Sequence, residues 1–288
     1  MIDITVRKTY QDYSDGSISR RTFLEKLAKL AGGVAAAYAL LPILENDYLA
    51  RAEMIPENDA RLTTEYITYP GVSGEIRAYQ AQPASAEKLP GVLVIHENKG
   101  LNPHIEDVTR RLALEGYMAV APDALSVAGG SPEDPKQAVE MIKALDMGAT
   151  IKNFAAAAAY LKTHPKSTGK VGVVGFCWGG AMANQMAVNS GDISAAVPYY
   201  GKQPDDADVA KIKASLMLHY AGIDERINAG IPAYEKALKD NMVEYQLFMY
   251  DGAKHAFNND TNHERYHKEA AGLAWQRTVA FFNEKLKE

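Results

Sequence analysis

Short uninterrupted apolar runs alternate with amphipathic stretches over most of the chain. Thr64–Tyr69 and Glu75–Gln82 flank Gly71 and Gly74 and predict an antiparallel hairpin. Beyond it, Gly91–Ile95, Met118–Ala121, Lys170–Val174, Ile193–Tyr199, Ser215–Tyr220 and Tyr245–Tyr250 predict buried strands. Between and after them, helical patterns occupy Ile105–Leu114, Pro135–Leu161, Cys177–Asn189, Pro232–Asp240 and Tyr266–Lys287. Continuous apolar strands separated by helices are what a parallel sheet covered on both faces requires. The pattern therefore predicts an α/β fold over 63–288, with a mostly parallel central sheet, helices on both faces and an N-terminal antiparallel hairpin. No internal repeat or Pro/Gly/Ser-rich linker divides this domain, and 53–62 reads as a linker leading into it.

The first fifty-two residues follow a different pattern. Ser19-Arg20-Arg21-Thr22-Phe23-Leu24 precedes a mildly apolar, Ala- and Gly-rich stretch from Ala31 to Leu44, and Ala50-Arg51-Ala52 then offers small residues for a signal peptidase, with Glu53 as the new N-terminus. This order resembles a twin-arginine export signal, which would make the export machinery a partner and the periplasm or exterior the destination. The other reading is an N-terminal helical extension, capped by Ser19 and packed on the body of a cytoplasmic protein. Acidic Glu25, Glu45 and Asp47 favour that second reading.

Composition narrows the function classes. Lys+Arg 31 against Asp+Glu 36 gives a net charge of −5, and the cations are scattered, so nucleic acid is not an expected partner. No apolar run is long enough for a conventional membrane span, so no membrane association is expected after maturation. Cys177 is the one cysteine, which excludes an intrachain disulfide and a thiolate metal cluster within one chain.

Gly175-Phe176-Cys177-Trp178-Gly179-Gly180 lies where a buried strand should turn into a helix. This is a G-x-nucleophile-x-G elbow with cysteine in the serine position. The flanking glycines fit the crowding of such a turn, and the helix N-terminus favours a thiolate. A dinucleotide-binding fingerprint would need a G-x-G-x-x-G spacing that these glycines lack. A buried structural cysteine in a glycine-rich turn is the plainer alternative. The elbow calls for a carboxylate and then a histidine, each after a later strand. Asp224 follows Leu216–Tyr220, and His255 follows Leu247–Tyr250. His255 would exchange the thiol proton and Asp224 would set its tautomer. Of the seven histidines, His219 is the nearest rival, but it lies within an apolar strand. After the first central strand comes His96-Glu97-Asn98. The Asn98 N–H would join that of Trp178 as an oxyanion hole. Glu97 is a charge at the end of a buried strand and requires a partner. His96-Glu97 could also be an exposed loop dipeptide; as half of a metalloprotease motif it lacks the second histidine.

With Val-Ile-His-Glu at 94–97, Ala-Pro-Asp at 121–123, Gly-Phe-Cys-Trp-Gly-Gly at 175–180, Gly-Ile-Asp at 222–224 and Lys-His-Ala-Phe at 254–257, the chain from Thr63 onward resembles the dienelactone hydrolase family. This is the cysteine branch of the α/β-hydrolase fold. The resemblance implies a carboxylic ester hydrolase acting through Cys177, His255 and Asp224. It also implies that Glu97 interacts with the thiol and shifts on substrate binding so that the thiolate forms when needed. The family's substrate-binding arginines are absent: the corresponding stretches read Ala124-Leu125-Ser126-Val127 and Asn258-Asn259-Asp260. A carboxylate-bearing lactone would then lack its cationic partner unless Arg226 substitutes, so uncharged compounds are the expected substrates.

Two functions stand at this point. One is hydrolysis of a small ester, lactone or thioester through an acyl-cysteine, with no metal or organic cofactor implied. The other is a non-catalytic or redox-sensing protein in which Cys177 is an oxidisable thiol, a reading that leaves Asp224 and His255 unexplained.

Overall fold

A computed structural model describes residues 4–14, 18–34, 36–41, 54–85 and 88–287. Eight strands form one sheet: β1 (Leu62–Gly71), β2 (Gly74–Pro83), β3 (Leu89–Ile95), β4 (Met118–Pro122), β5 (Ser167–Phe176), β6 (Ala195–Tyr199), β7 (Ser215–Ile223) and β8 (Tyr245–Lys254). Their order is β1-β2-β4-β3-β5-β6-β7-β8. The β1–β2 hairpin is antiparallel and β2 joins β4 antiparallel, whereas every pairing from β4 through β3 to β8 is parallel. This is the α/β arrangement the apolar runs predict. The parallel strands β3, β5, β6, β7 and β8 all end at one edge of the sheet, so the loops that follow them are neighbours.

The alternation along β3 explains why the sheet needs cover on both faces. Val92 and Val94 point into one core and Leu93 and Ile95 into the other, and none of the four is exposed. The first core is closed by helices Pro103–Leu114 and Lys268–Phe282. The second is closed by Met147–Thr163, Trp178–Asn189 and Ile231–Asp240.

Several boundaries differ from the sequence pattern. The long helical stretch 135–161 is two helices, Pro135–Lys143 and Met147–Thr163, because Asp146 caps a new start by accepting the Ala149 N–H at 2.7 Å. The last helix begins at Lys268, after the His267 side chain caps it, and ends at Phe282 in a wider turn over Asn283–Lys287. Strand β8 runs on to Lys254, bringing it directly to His255.

Near the N-terminus, Ser19 caps a helix at Arg20–Ala31 and accepts the Thr22 N–H at 3.2 Å. Phe23 and Leu27 of this helix bury against Val6 and Tyr10 of the helix Ile4–Ser14, in a small cluster separate from the two sheet cores. The segment Ala50–Glu53, where a signal peptidase would cut, lies outside the described residues. From Met54 the chain is fastened to the domain, as the Met54 and Ile55 N–H groups donate to the Asp107 carboxylate at 3.2 and 2.8 Å.

The turn from β5 into the helix Trp178–Asn189 is packed backbone against backbone. A Cβ on Gly201 would lie 2.2 Å from the Gly180 carbonyl carbon, and one on Gly179 would lie 2.3 Å from the Ile95 oxygen. Gly201→Ala is therefore expected to lower stability by about 1–3 kcal/mol, because rigid backbone must move to admit the methyl group. Thermal or urea unfolding of the purified variant measures this, and an unchanged midpoint would contradict the close approach.

Candidate active site

Cys177 sits between β5 and its helix with φ 57° and ψ −112°, and its N–H donates to the Tyr199 carbonyl at 3.0 Å. A non-glycine residue at positive φ costs about 1–3 kcal/mol, and the surrounding backbone contacts enforce it here. The consequence is a sulfur lifted onto the rim of the sheet at the N-terminus of a helix.

The structure brings three predicted side chains together there. His255, directly after β8, places Nε2 3.0 Å from Cys177 Sγ. Its Nδ1 lies 2.5 Å from Asp224 Oδ2 at the end of β7. Asp224 also starts the short helix Glu225–Asn228, where its backbone oxygen accepts the Ile227 and Asn228 N–H groups. Asp224 is thus set by the end of its strand and by the turn it begins, and the imidazole is held between carboxylate and thiol. Such a line can move the thiol proton onto the ring while the carboxylate balances the imidazolium.

Glu97 follows β3 and is buried beside this line. Its Oε2 accepts from Asn259 Nδ2 at 2.8 Å, while Oε1 is buried with no partner among the described residues. Burial pushes the Cys177 thiol up to about 11, and the charge of Glu97 adds to that rise. The Trp178 N–H and the charges of Arg226 and Arg265 pull the other way. On balance these influences favour the protonated thiol.

Trp178 N–H faces the sulfur, and Asn98 stands half-buried in the turn after Glu97. The connection that carries Asn98 is tied down by groups that sequence reasoning missed. Ser131 Oγ accepts the Leu101 N–H at 2.9 Å and donates to Asp123 Oδ1 at 2.7 Å, and Asp123 also accepts the N–H groups of Leu125 and Ser131. His96 is buried rather than exposed. Its Nε2 accepts the Ala124 N–H at 3.1 Å, so the proton is on Nδ1, which donates to the Glu97 carbonyl at 2.6 Å. Burial holds this ring neutral, and it stacks on Trp178.

Tyr200 is a second residue the sequence did not single out. It has φ 39° and is buried against His255 and Phe257, with ring centroids 5.1 and 5.4 Å away. The rival His219 lies inside the core, where it pairs with Thr278 and Tyr250, and burial pushes its pKa down to about 3. Among the described residues, no group of three or more His, Cys, Asp or Glu side chains converges as metal ligands would.

Residues 76–286 match the model of the Dienelactone hydrolase family. A protein of Saccharolobus solfataricus, named provisionally as a carboxymethylenebutenolidase, is 33% identical over 75% of this chain and 96% of its own. A Methylorubrum extorquens relative of the same provisional name is 29% identical over 93% of this chain and 96% of its own. Among solved structures, a provisional dienelactone hydrolase from Klebsiella pneumoniae superposes with a TM-score of 0.71 at 28% identity, covering 77% of this chain and 98% of that one.

The electrostatics give a measurable signature. Alkylation of Cys177 by iodoacetamide should be slow at neutral pH and rise towards a midpoint well above that of a free thiol. Glu97→Gln should lower the midpoint, because the charge opposing the thiolate is gone. A wild-type midpoint below 8, or no response to Glu97→Gln, would contradict this picture.

Proposed function

The chain belongs to the dienelactone hydrolase family and is a carboxylic ester hydrolase, and from that premise we propose that it cleaves small uncharged esters, lactones or thioesters through an acyl-Cys177 intermediate. The observation that carries this reading is the contact line from Cys177 Sγ through both nitrogens of His255 to Asp224. In the scheme, His255 Nε2 takes the thiol proton as the sulfur attacks the carbonyl carbon. The oxyanion that develops is received by the Trp178 and Asn98 N–H groups. Collapse expels the alkoxide or thiolate, which takes the proton from His255 and leaves the acyl group on sulfur. Water then gives a proton to His255 and its oxygen attacks the acyl carbon. The sulfur departs, recovers the proton, and the carboxylic acid is released.

Glu97 fits a gating role in this scheme. With the thiol protonated at rest, Cys177 is shielded from adventitious oxidation and alkylation. A substrate that displaces Glu97 from its place near the sulfur would remove a charge that opposes the thiolate. The same raised thiol pKa argues against a redox sensor, since sensor cysteines are low-pKa, accessible thiols. The neutral amide of Asn259 holds Glu97, the stretches 124–127 and 258–260 hold no arginine, and the two arginines whose charge reaches the sulfur, Arg226 and Arg265, are exposed to water, which supports substrates without a carboxylate.

Cys177→Ala and His255→Ala should each lower turnover of p-nitrophenyl acetate at least about a thousandfold. Cys177→Ser should also lose most activity, because the site is tuned to a thiol. Mass spectrometry of the quenched wild type should find an acetyl group on Cys177. In a panel of matched esters and lactones, neutral members should exceed anionic ones in kcat/KM. Equal turnover by wild type and Cys177→Ala would overturn the reading, and a preference for anionic lactones would overturn the substrate class.

We also propose that the N-terminal segment directs export through its paired arginines. Conversion of Arg20-Arg21 to Lys-Lys should retain the protein in the cytoplasm on fractionation of expressing cells. An unchanged distribution would remove export.

A further inference from the structure

Glu97 is gripped from one side, and the grip has a foundation of its own. Asn259 is oriented by Thr261, whose N–H and hydroxyl donate to Asn259 Oδ1 at 3.0 and 2.7 Å, which turns the amide NH2 toward Glu97. No strand or helix runs through residues 258–266; turn hydrogen bonds such as those from the Asn259 N–H to Ala256 and from the His267 N–H to Phe257 shape the segment, and side-chain contacts tie it to neighbouring elements. The next residue supplies them. Asp260 Oδ2 accepts from Arg111 at 2.6 Å, and its Oδ1 stands 3.1 Å from His104 Nδ1. Burial raises the Asp260 carboxyl, yet the His104 and Arg111 contacts outweigh it and leave it below its ordinary value. Arg111 also bonds Asp107, which accepts the N–H groups of Met54 and Ile55. Arg110 completes the fastening by donating Nε to the Ile55 carbonyl at 2.7 Å and Nη1 to the Tyr79 hydroxyl at 2.9 Å.

The side chains of Asp107, Asp260 and Arg111 are 1%, 9% and 14% exposed, so these charges are largely out of water. Buried ion pairs add little net stability over apolar packing, but removing one partner strands a charge and is costly. Such a cluster serves best where a loop must be held in one place. Here it connects the helix Pro103–Leu114, the segment at 54–55 and the loop whose Asn259 holds Glu97.

We infer that the Asp260–Arg111–Asp107 cluster, with His104 and the strap at Met54–Ile55, is a positioning device that fixes Glu97 relative to the Cys177 sulfur through Asn259. This deepens the hydrolytic reading and rests on it for its purpose, but it acts on the sulfur whether or not the enzyme is turning over. When the loop loosens, Glu97 loses the Asn259 donor. Its carboxylate then settles against the neighbouring S–H, which favours the protonated thiol further.

The test is the pH dependence of Cys177 alkylation by iodoacetamide in the full chain, alongside melting temperature. Asp260→Ala and Arg111→Gln should each raise the midpoint by about half a pH unit, a roughly threefold slower reaction at fixed neutral pH. In a Glu97→Gln background neither should move it. An unchanged or lowered midpoint would overturn the inference, a lowered melting temperature then assigning the cluster to stability alone, as would the same shift in the Glu97→Gln background. If Asp260→Ala does not fold, Arg111→Gln and Asn259→Ala decide the matter by the same criteria. Alkylation reads the sulfur directly, so full ester turnover by Cys177→Ala would sink the acyl-cysteine reading while leaving this result interpretable.

Discussion

The 3.0 Å contact between the Cys177 sulfur and His255 Nε2 is the interaction on which the site depends. Residues 177 and 255 are far apart in the chain, and they meet because β5 and β8 run parallel and end at the same edge, with β6 and β7 between them. A parallel sheet gathers the ends of many strands on one side, which is why chemistry in open α/β folds collects there. Asp224 comes to the same place from β7, and Glu97 from β3. Each side chain needs the sheet in register, because a shift of one residue would turn it to the other face.

Around that contact the charges are balanced rather than uniformly favourable to the thiolate. Burial and Glu97 oppose ionisation of Cys177, while the Trp178 N–H and two exposed arginines favour it. The balance favours a neutral thiol beside an imidazole already oriented by Asp224. In the proposed scheme, activation requires a small change in one group, and Glu97 is the neighbouring group whose carboxylate is incompletely bonded.

The parts of the fold and site that could be read from the sequence are those written in local spacing. The elbow glycines, the apolar runs and the placement of Asp224 and His255 just after strands are all visible within a few residues. Gly175, for example, announces the turn because a Cβ there would lie 2.0 Å from the Gly179 oxygen. Other features depend on contacts between distant segments and leave no local trace. Asn259 reaches Glu97 across the fold, and Ser131 steadies the loop at Leu101 through a hydroxyl that any surface serine might carry. Tyr200 gave no signal beyond its place after a short apolar strand. The break between the helices at 143 and 147 was readable in Asp146, but the apolar periodicity on either side concealed it.

The order of the strands has a temporal consequence. Synthesis delivers β5 and the elbow well before β8, and a domain generally folds as a unit. Until β8 pairs with β7, the nascent chain holds its sulfur without an imidazole to deprotonate it. The contact between sulfur and imidazole is therefore a product of the finished sheet, and it cannot form in any partly assembled one that lacks β8.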